Sequence, residues 1–102
     1  MHLEDIEIIE GNTQSESAVY YDALQRAINS GDAWKLQGSY GRTMMSAIEE
    51  GFCLLGPSPA EDAYGSRIPS RDDVQSGTKG SRTFVAARQG EAWAARMERL
   101  GC

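Results

Sequence analysis

A glycine-bracketed turn before the last helical pattern offers the best-defined chemistry in this sequence. Residues 76–82 read Ser-Gly-Thr-Lys-Gly-Ser-Arg. Backbone amides at a helix N-terminus, the helix dipole and flexible glycines together make a ready anion site. The spacing differs from the P-loop of nucleotide-binding proteins, because Gly77 lies only two residues before Lys79 and no strand precedes it. A capped turn that only packs a loop is the open alternative.

Two further groups of residues could complete such a site. Arg67 and Arg71 flank residues 68–70, and residues 38–42 form a second glycine-bracketed turn that carries Tyr40 and Arg42. If the two turns meet, aromatic planes and guanidinium donors would together bind a nucleotide-like or phosphorylated ligand. The candidate ligand-binding residues are Tyr40, Arg42, Tyr64, Arg67, Arg71, Thr78, Lys79, Ser81 and Arg82. The competing explanation is that the arginines pair with acids of this chain and that Tyr40 belongs to the core.

Residues suited to catalysis are scarce. The single histidine, His2, lies at a terminus, where chains usually fray. One histidine and two cysteines 49 positions apart have neither the number nor the spacing of a zinc site. Asp72 and Asp73 are expected to face a helix start, with metal-assisted hydrolysis by this pair as a minor alternative. We therefore predict a protein that is not an enzyme and has no catalytic residues, cofactor or metal.

Length and composition indicate a single domain over residues 1–102. A chain of this length buries roughly 60 to 70 per cent of its unfolded surface, enough for one core. The longest apolar run, residues 52–55, is too short to span a bilayer, and residues 1–10 carry acids instead of a basic secretory start. With only Cys53 and Cys102, a disulfide framework is not indicated. We expect a cytoplasmic protein without a membrane segment, in which Cys53 is buried.

Charge is distributed unevenly along the chain. The net charge is −5, but residues 1–62 sum to −8 and residues 63–102 to +3. Pairing between these two parts is favoured over a basic binding surface. The acidic part could instead contact a basic partner protein. DNA binding would require the basic part to face phosphate while the acidic part turns away, so nucleic acid is a disfavoured partner.

Apolar spacing predicts the elements of the first half. Alternating apolar residues predict a strand within residues 3–9, and a capping box at residues 13–16 begins a helix over residues 15–30 that Gly31 ends. A second helix begins near Ser39 and ends at Gly51. Residues 52–55 form a short apolar run between glycines, which predicts a buried strand.

The second half is predicted to be mostly loop. Residues 56–81 are rich in Gly, Pro, Ser and charge, and we expect them to be ordered and functional, with one helical turn capped by Ser70. A C-terminal helix begins at Ser81, and Gly90 either divides it in two or permits a close approach of another element. The fold class is thus α+β, helix-dominated, with three main helices, two or three short strands and a long ordered loop. Its large apolar side chains, including Trp34 and Trp93, favour a homo-oligomer.

Several of these stretches resemble small accessory proteins of phages that infect actinobacteria, namely residues 38–42, 44–51, 64–71 and 77–81 within residues 34–100. The resemblance implies a virus-encoded product made inside a bacterium, which binds a host protein or sequesters a nucleotide signal of host defence. It implies no site residues. The expected function is a non-enzymatic phage accessory protein that binds an anionic, nucleotide-like ligand. The alternatives are a protein-interaction module that inhibits a host bacterial protein and a DNA-binding accessory factor.

Overall fold

A computed structural model describes residues 17–35, 38–62 and 64–100. Within them lie four α-helices: α1 (Ser17–Ser30), α2 (Gly38–Glu49), α3 (Arg82–Gln89) and α4 (Glu91–Arg99). A 3₁₀ helix (Asp32–Lys35) follows α1, and strands β1 (Ala60–Glu61) and β2 (Arg67–Ile68) form an antiparallel sheet. The predicted α+β, helix-dominated class is confirmed. The strand predicted within residues 3–9 and the capping box at 13–16 lie outside the described residues.

Glycines end the first two helices, as the sequence predicts. Gly31 and Gly51 have φ values of 77° and 82°, the left-handed conformation that glycine adopts without a steric penalty. The Gly31 amide donates to the Ile28 carbonyl, and the Gly51 amide donates to the Ile48 carbonyl, each at 3.2 Å. These bonds close the last turn of each helix and direct the chain back over the core.

The C-terminal helical pattern forms two helices, α3 and α4, that meet at Gly90. Gly90 has φ 99° and ψ 160°, outside the helical region, so one of the two predicted roles of this glycine is confirmed. Ser81 caps α3 as predicted, because its Oγ accepts from the Phe84 amide at 3.2 Å. The α3–α4 corner buries Val85 and Met97 and turns the predicted three helices into four.

The core lies between α1, α2, the α3–α4 corner and residues 52–56, which we call the central segment. Its buried side chains are Leu24, Ala27, Ile28, Ala33, Trp34, Met44, Ala47, Ile48, Cys53, Leu54, Leu55, Val85, Ala94 and Met97. Cys53 is buried as predicted, and burial raises the pKa of its thiol far above the usual value. The Tyr21 and Phe52 rings stack at 4.3 Å beside Trp93 and close one side of this core.

The prediction of a strand at residues 52–55 is wrong, although the burial of Leu54 and Leu55 is confirmed. Leu54 has a side chain as its backbone partner instead of a neighbouring strand. The Gln25 Oε1 accepts from the Leu54 amide at 2.8 Å, and the Gln25 Nε2 donates to the Leu54 carbonyl at 3.0 Å. Gln25 is fully buried, so its amide group supplies both hydrogen bonds that a strand would have made.

Other elements satisfy the rest of the central segment. The Trp93 Nε1 donates to the Phe52 carbonyl at 2.8 Å, and the Leu55 amide donates to the Gly80 carbonyl at 3.0 Å. The Arg71 Nε donates to the Leu55 carbonyl at 2.8 Å, and the Arg71 amide donates to the Gly56 carbonyl at 2.9 Å. Buried backbone groups need such partners, and these bonds provide them without a sheet.

Residues 56–81 contain more regular structure than the sequence predicts. The sheet lies here, with Ala60 paired to Ile68 and Glu61 paired to Arg67. Strands of two residues are too short to show an alternating pattern. The helical turn predicted after Ser70 is a hydrogen-bonded turn instead, in which the Asp73 Oδ2 accepts from the Ser70 amide at 3.0 Å. The aspartate thus caps the turn where the serine was expected to do so.

An ion pair joins the acidic part of the chain to the basic part. The Arg96 Nε donates to Asp22 Oδ1 at 2.9 Å and joins α4 to α1. Its hydrogen bonds to Asp22 raise the pKa of Arg96. The other pairs, Arg67 with Asp73 and Arg82 with Glu91 and Glu98, stay within the basic part.

Replacing Gln25 by leucine should destabilise the protein strongly. Q25L keeps a similar volume but leaves the Leu54 amide and carbonyl buried without partners. Each such group costs about 1 to 3 kcal/mol, so we expect a loss of about 3 kcal/mol in urea unfolding followed by tryptophan fluorescence. The control is Q75L, because the Gln75 side chain is exposed. Equal stability of Q25L and Q75L would contradict the assigned role.

Replacing Asn29 by aspartate should stabilise the protein near neutral pH. The Asn29 Oδ1 accepts from both Gln25 Nε2 and Arg71 Nη2 at 3.0 Å, while its buried Nδ2 has no partner. A carboxylate keeps both bonds, strengthens the one to Arg71 and removes the unpaired donor, which outweighs its unfavourable place near the C-terminus of α1. We expect a net gain of about 1 kcal/mol.

The pH dependence of N29D gives the control. Arg71 should lower the pKa of the new carboxyl below its unfolded value. The gain is then present above the unfolded pKa and lost as pH falls through the folded pKa. Urea midpoints of N29D and the parent protein should differ at pH 7 and converge in acid. A variant no more stable than its parent at pH 7 would refute this account of the Asn29 amide.

Candidate functional site

A groove of about 280 Å³ lies beside the sheet. Its lining residues are Lys35, Pro59, Ala60, Glu61 and Arg67. Lys35 belongs to the 3₁₀ helix, Pro59 directly precedes β1, and the other three belong to the hairpin formed by β1, β2 and the turn between them. Two cations and one carboxylate thus face a single opening, which we call the Lys35–Arg67 groove.

Packing against the end of α1 fixes the hairpin in place. β1 lies against the 3₁₀ helix, and a Cβ placed on Gly31 would be 3.5 Å from the Ala60 Cβ, an ordinary van der Waals distance. Glu61 is paired with Arg67 across the sheet, so their side chains project from the same face of the hairpin. The contact between β1 and the 3₁₀ helix places Lys35 beside the hairpin.

Arg67 is oriented by the carboxylate of Asp73, which lies in the turn that follows β2. Its Nη2 donates to Asp73 Oδ2 at 2.9 Å. The pKa of Asp73 is lowered, first by hydrogen bonds from Ser70 and then by the charge of Arg67. Asp73 is therefore ionised at neutral pH, and the Arg67 guanidinium keeps further N–H donors for a ligand.

Lys35 and Glu61 make no ion pair with any described residue. Both side chains are exposed to water. An anion that enters the groove would be attracted by Lys35 and Arg67 and repelled by Glu61. The three charged side chains that line the groove sum to one positive charge, and the Asp73 carboxylate beside Arg67 offsets part of it.

The hairpin turn presents Tyr64 to solvent. The Asp62 Oδ1 accepts from the amides of Tyr64 and Ser66, each at 2.9 Å, and the Gly65 amide donates to the Asp62 carbonyl at 3.1 Å. Gly65 has φ 82°, the left-handed conformation that glycine adopts readily in hairpin loops. The Tyr64 side chain is 93% exposed. A well-bonded turn therefore holds an aromatic ring in water.

Four of the residues predicted from sequence to bind a ligand make internal contacts. Arg71 donates to the Leu55 carbonyl and to Asn29, while Ser81 caps α3. The Thr78 hydroxyl donates to the Gln75 carbonyl. The Arg82 guanidinium bonds Glu91 and Glu98 of α4, and these bonds raise the pKa of Arg82. The turn at residues 76–82 thus has the geometry of a capped, self-bonded turn, the alternative that the sequence left open.

The two glycine-bracketed turns belong to different parts of the fold, since residues 38–42 begin α2 and residues 76–82 precede α3. Gly80 lies against Leu55 and Ile48, since a Cβ at Gly80 would be 2.5 Å from Leu55 Cδ1 and 3.6 Å from Ile48 Cγ2. Tyr40 and Arg42 occupy the first turn of α2, at least six residues before Ile48, which is about 9 Å along the helix axis. Lys79 and Arg42 are exposed, and Tyr40 is half-buried.

The groove combines one predicted residue, Arg67, with two that the sequence analysis missed. Lys35 and Glu61 come from elements far apart in the chain, and no local motif links them. The one available signal was the position of Lys35 directly after the helix stop at Gly31, where a short connector must turn the chain. Proximity of Lys35 and Arg67 follows only from the packing of the hairpin.

Comparisons of this chain with protein families, curated proteins and solved structures found no match. Across residues 17–35, 38–62 and 64–100, no helix has the length and apolar character needed to cross a membrane. In the same ranges, no three His, Cys, Asp or Glu side chains are grouped so that they could hold a metal ion.

Arg71 should prove more important for stability than Lys79. R71Q removes the bonds to the Leu55 carbonyl and Asn29, and hydrogen bonds to charged groups contribute about 1.5 to 3 kcal/mol. K79Q changes an exposed side chain and should cost less than about 0.5 kcal/mol. Thermal unfolding followed by circular dichroism compares the two variants. If R71Q unfolds at the temperature of K79Q, Arg71 does not hold the central segment.

Proposed function

We propose that this protein is a binding protein, not an enzyme, and that it takes an anionic group in the Lys35–Arg67 groove. The observation that carries the proposal is the convergence of two cations from different elements on one opening, where Lys35 has no ion pair among the described residues. A phosphate would meet the ammonium of Lys35 on one side and the N–H donors of Arg67 on the other.

The orientation of Arg67 supports a prepared site. Asp73 holds one Arg67 nitrogen at 2.9 Å, and Asp73 is itself held by the Ser70 amide. Less side-chain entropy is then lost when a ligand binds, which favours affinity. Among the described residues Arg67 bonds Asp73, whereas Arg71 bonds both the Leu55 carbonyl and Asn29, and Arg82 bonds both Glu91 and Glu98. The groove is therefore a better candidate for the anion-binding site than the turn at residues 76–82.

The biological setting proposed from the sequence is a phage accessory protein in the cytoplasm of a bacterial host, which sequesters an anionic signal of host defence. A protein-interaction module and a DNA-binding factor stay predictions, as does a homo-oligomer. An anion groove fits the first setting, because sequestering a small charged molecule requires binding without chemistry.

Inorganic phosphate and pyrophosphate should bind in the groove. We expect the ¹⁵N–¹H signals of Ala60, Glu61 and Arg67 to shift in a titration at constant ionic strength with chloride as the balancing salt. K35Q and R67Q should each weaken pyrophosphate binding by up to about 5-fold, because exposed charge pairs contribute at most about 1 kcal/mol. E61Q should strengthen binding by a similar factor, since it removes the repelling carboxylate.

R99Q is the matched control for this titration, because Arg99 is an exposed cation of α4 that does not line the groove. It should bind pyrophosphate as the parent protein does. Equal affinity of K35Q, R67Q and R99Q, or weaker binding by E61Q, would show that the groove is not the anion site. If the ¹⁵N–¹H signals of Lys79 and Arg82 shifted and those of the groove residues did not, the anion site would be the turn at residues 76–82.

A further inference from the structure

Resting on the anion site proposed above, we propose that the ligand carries a planar ring beside its anionic group, as a nucleoside monophosphate does, and that the ring stacks on Tyr64. The phosphate would lie between Lys35 and Arg67, and the base would lie against the tip of the hairpin. This proposal names the chemical class of the ligand, which the groove by itself leaves open.

The exposure of Tyr64 is the first observation behind it. The Tyr64 side chain is 93% exposed, and among the described residues the only other large hydrophobic side chain classed as exposed is Val19, at 37%. Tyr20, Tyr21 and Trp93 are instead packed against the core. An aromatic ring left in water does not stabilise the fold, so its use is better sought in binding.

The rigidity of the turn is the second observation. Asp62 accepts from two amides of the turn, and the Gly65 amide donates back to the Asp62 carbonyl. The backbone at Tyr64 is therefore held before any ligand arrives, and only the side-chain torsions need ordering. Stacking on such a prepared ring loses little entropy.

Distance along the hairpin is the third observation. Tyr64 and Arg67 are three residues apart, so their Cα atoms are at most about 10 Å from each other. In a nucleoside monophosphate, one ribose separates the base from the phosphate. This spacing suits an aromatic ring and a phosphate-binding guanidinium that are carried by the same hairpin. An anchor for a partner protein would also use an exposed tyrosine, but the adjacent cationic groove favours a ligand with both a ring and an anion.

The test compares adenosine 5′-monophosphate with ribose 5-phosphate, which has the same anionic group and no base. Calorimetry with the full chain should show tighter binding of the nucleotide by roughly 5- to 150-fold, the range expected for one base stacked on an aromatic side chain. Y64L should remove the difference between the two ligands, whereas Y64F should retain it. In protein with ¹³C-labelled tyrosine, the Tyr64 ring signals should shift upfield with the nucleotide only.

The outcomes separate this proposal from the one on which it rests. Ribose 5-phosphate binding that depends on Lys35 and Arg67, with no advantage for the nucleotide, would overturn the stacking role and leave the anion site standing. If Y64L weakened the binding of both ligands to the same extent, the stacking role would be overturned as well. The Tyr64 ring would then act by supporting the fold of the hairpin. Absence of binding by both ligands would overturn the anion site and the stacking role together.

Discussion

The buried amide of Gln25 is the interaction on which the other parts of this structure depend. A polar side chain in the middle of α1 lies in the core and pairs with both backbone groups of Leu54. Leu54 and Leu55 carry apolar side chains that must be buried, yet their backbone has no neighbouring strand. Burying those groups unpaired would cancel much of the hydrophobic gain. Gln25 resolves this conflict, and the core can close over the central segment.

The same network reaches the candidate site. Gln25 also donates to Asn29, and Asn29 accepts from Arg71, which holds the Leu55 carbonyl. Next to Arg71, Ser70 is fixed by Asp73, whose carboxylate orients Arg67 at the groove. The hydrogen bonds of this network are about 3 Å long and are buried or partly buried, except the exposed bond between Arg67 and Asp73. The polar interior thereby positions the turn that carries the groove's arginine.

Helical periodicity and glycine stops predicted α1, α2 and the Ser81 cap, because these features are local. Local patterns could not show that residues 52–55 lack a neighbouring strand. A short apolar run between glycines has one pattern whether its partner is a strand or a side chain, and Gln25 lies 29 positions earlier. Two-residue strands are likewise too short to leave a pattern. The groove was missed for a related reason: Lys35 and Arg67 meet only because the hairpin packs beside Gly31.

Native-state hydrogen exchange at the Leu54 amide tests this account most directly. In a segment without sheet partners, an ordinary loop amide would exchange through small local openings. If Gln25 holds Leu54 within the core, the Leu54 amide should exchange as slowly as those of Leu24 and Ile28 in α1, with an opening free energy close to that of global unfolding. Exchange of Leu54 at the rate of the exposed turn residues, while α1 stays protected, would contradict the account.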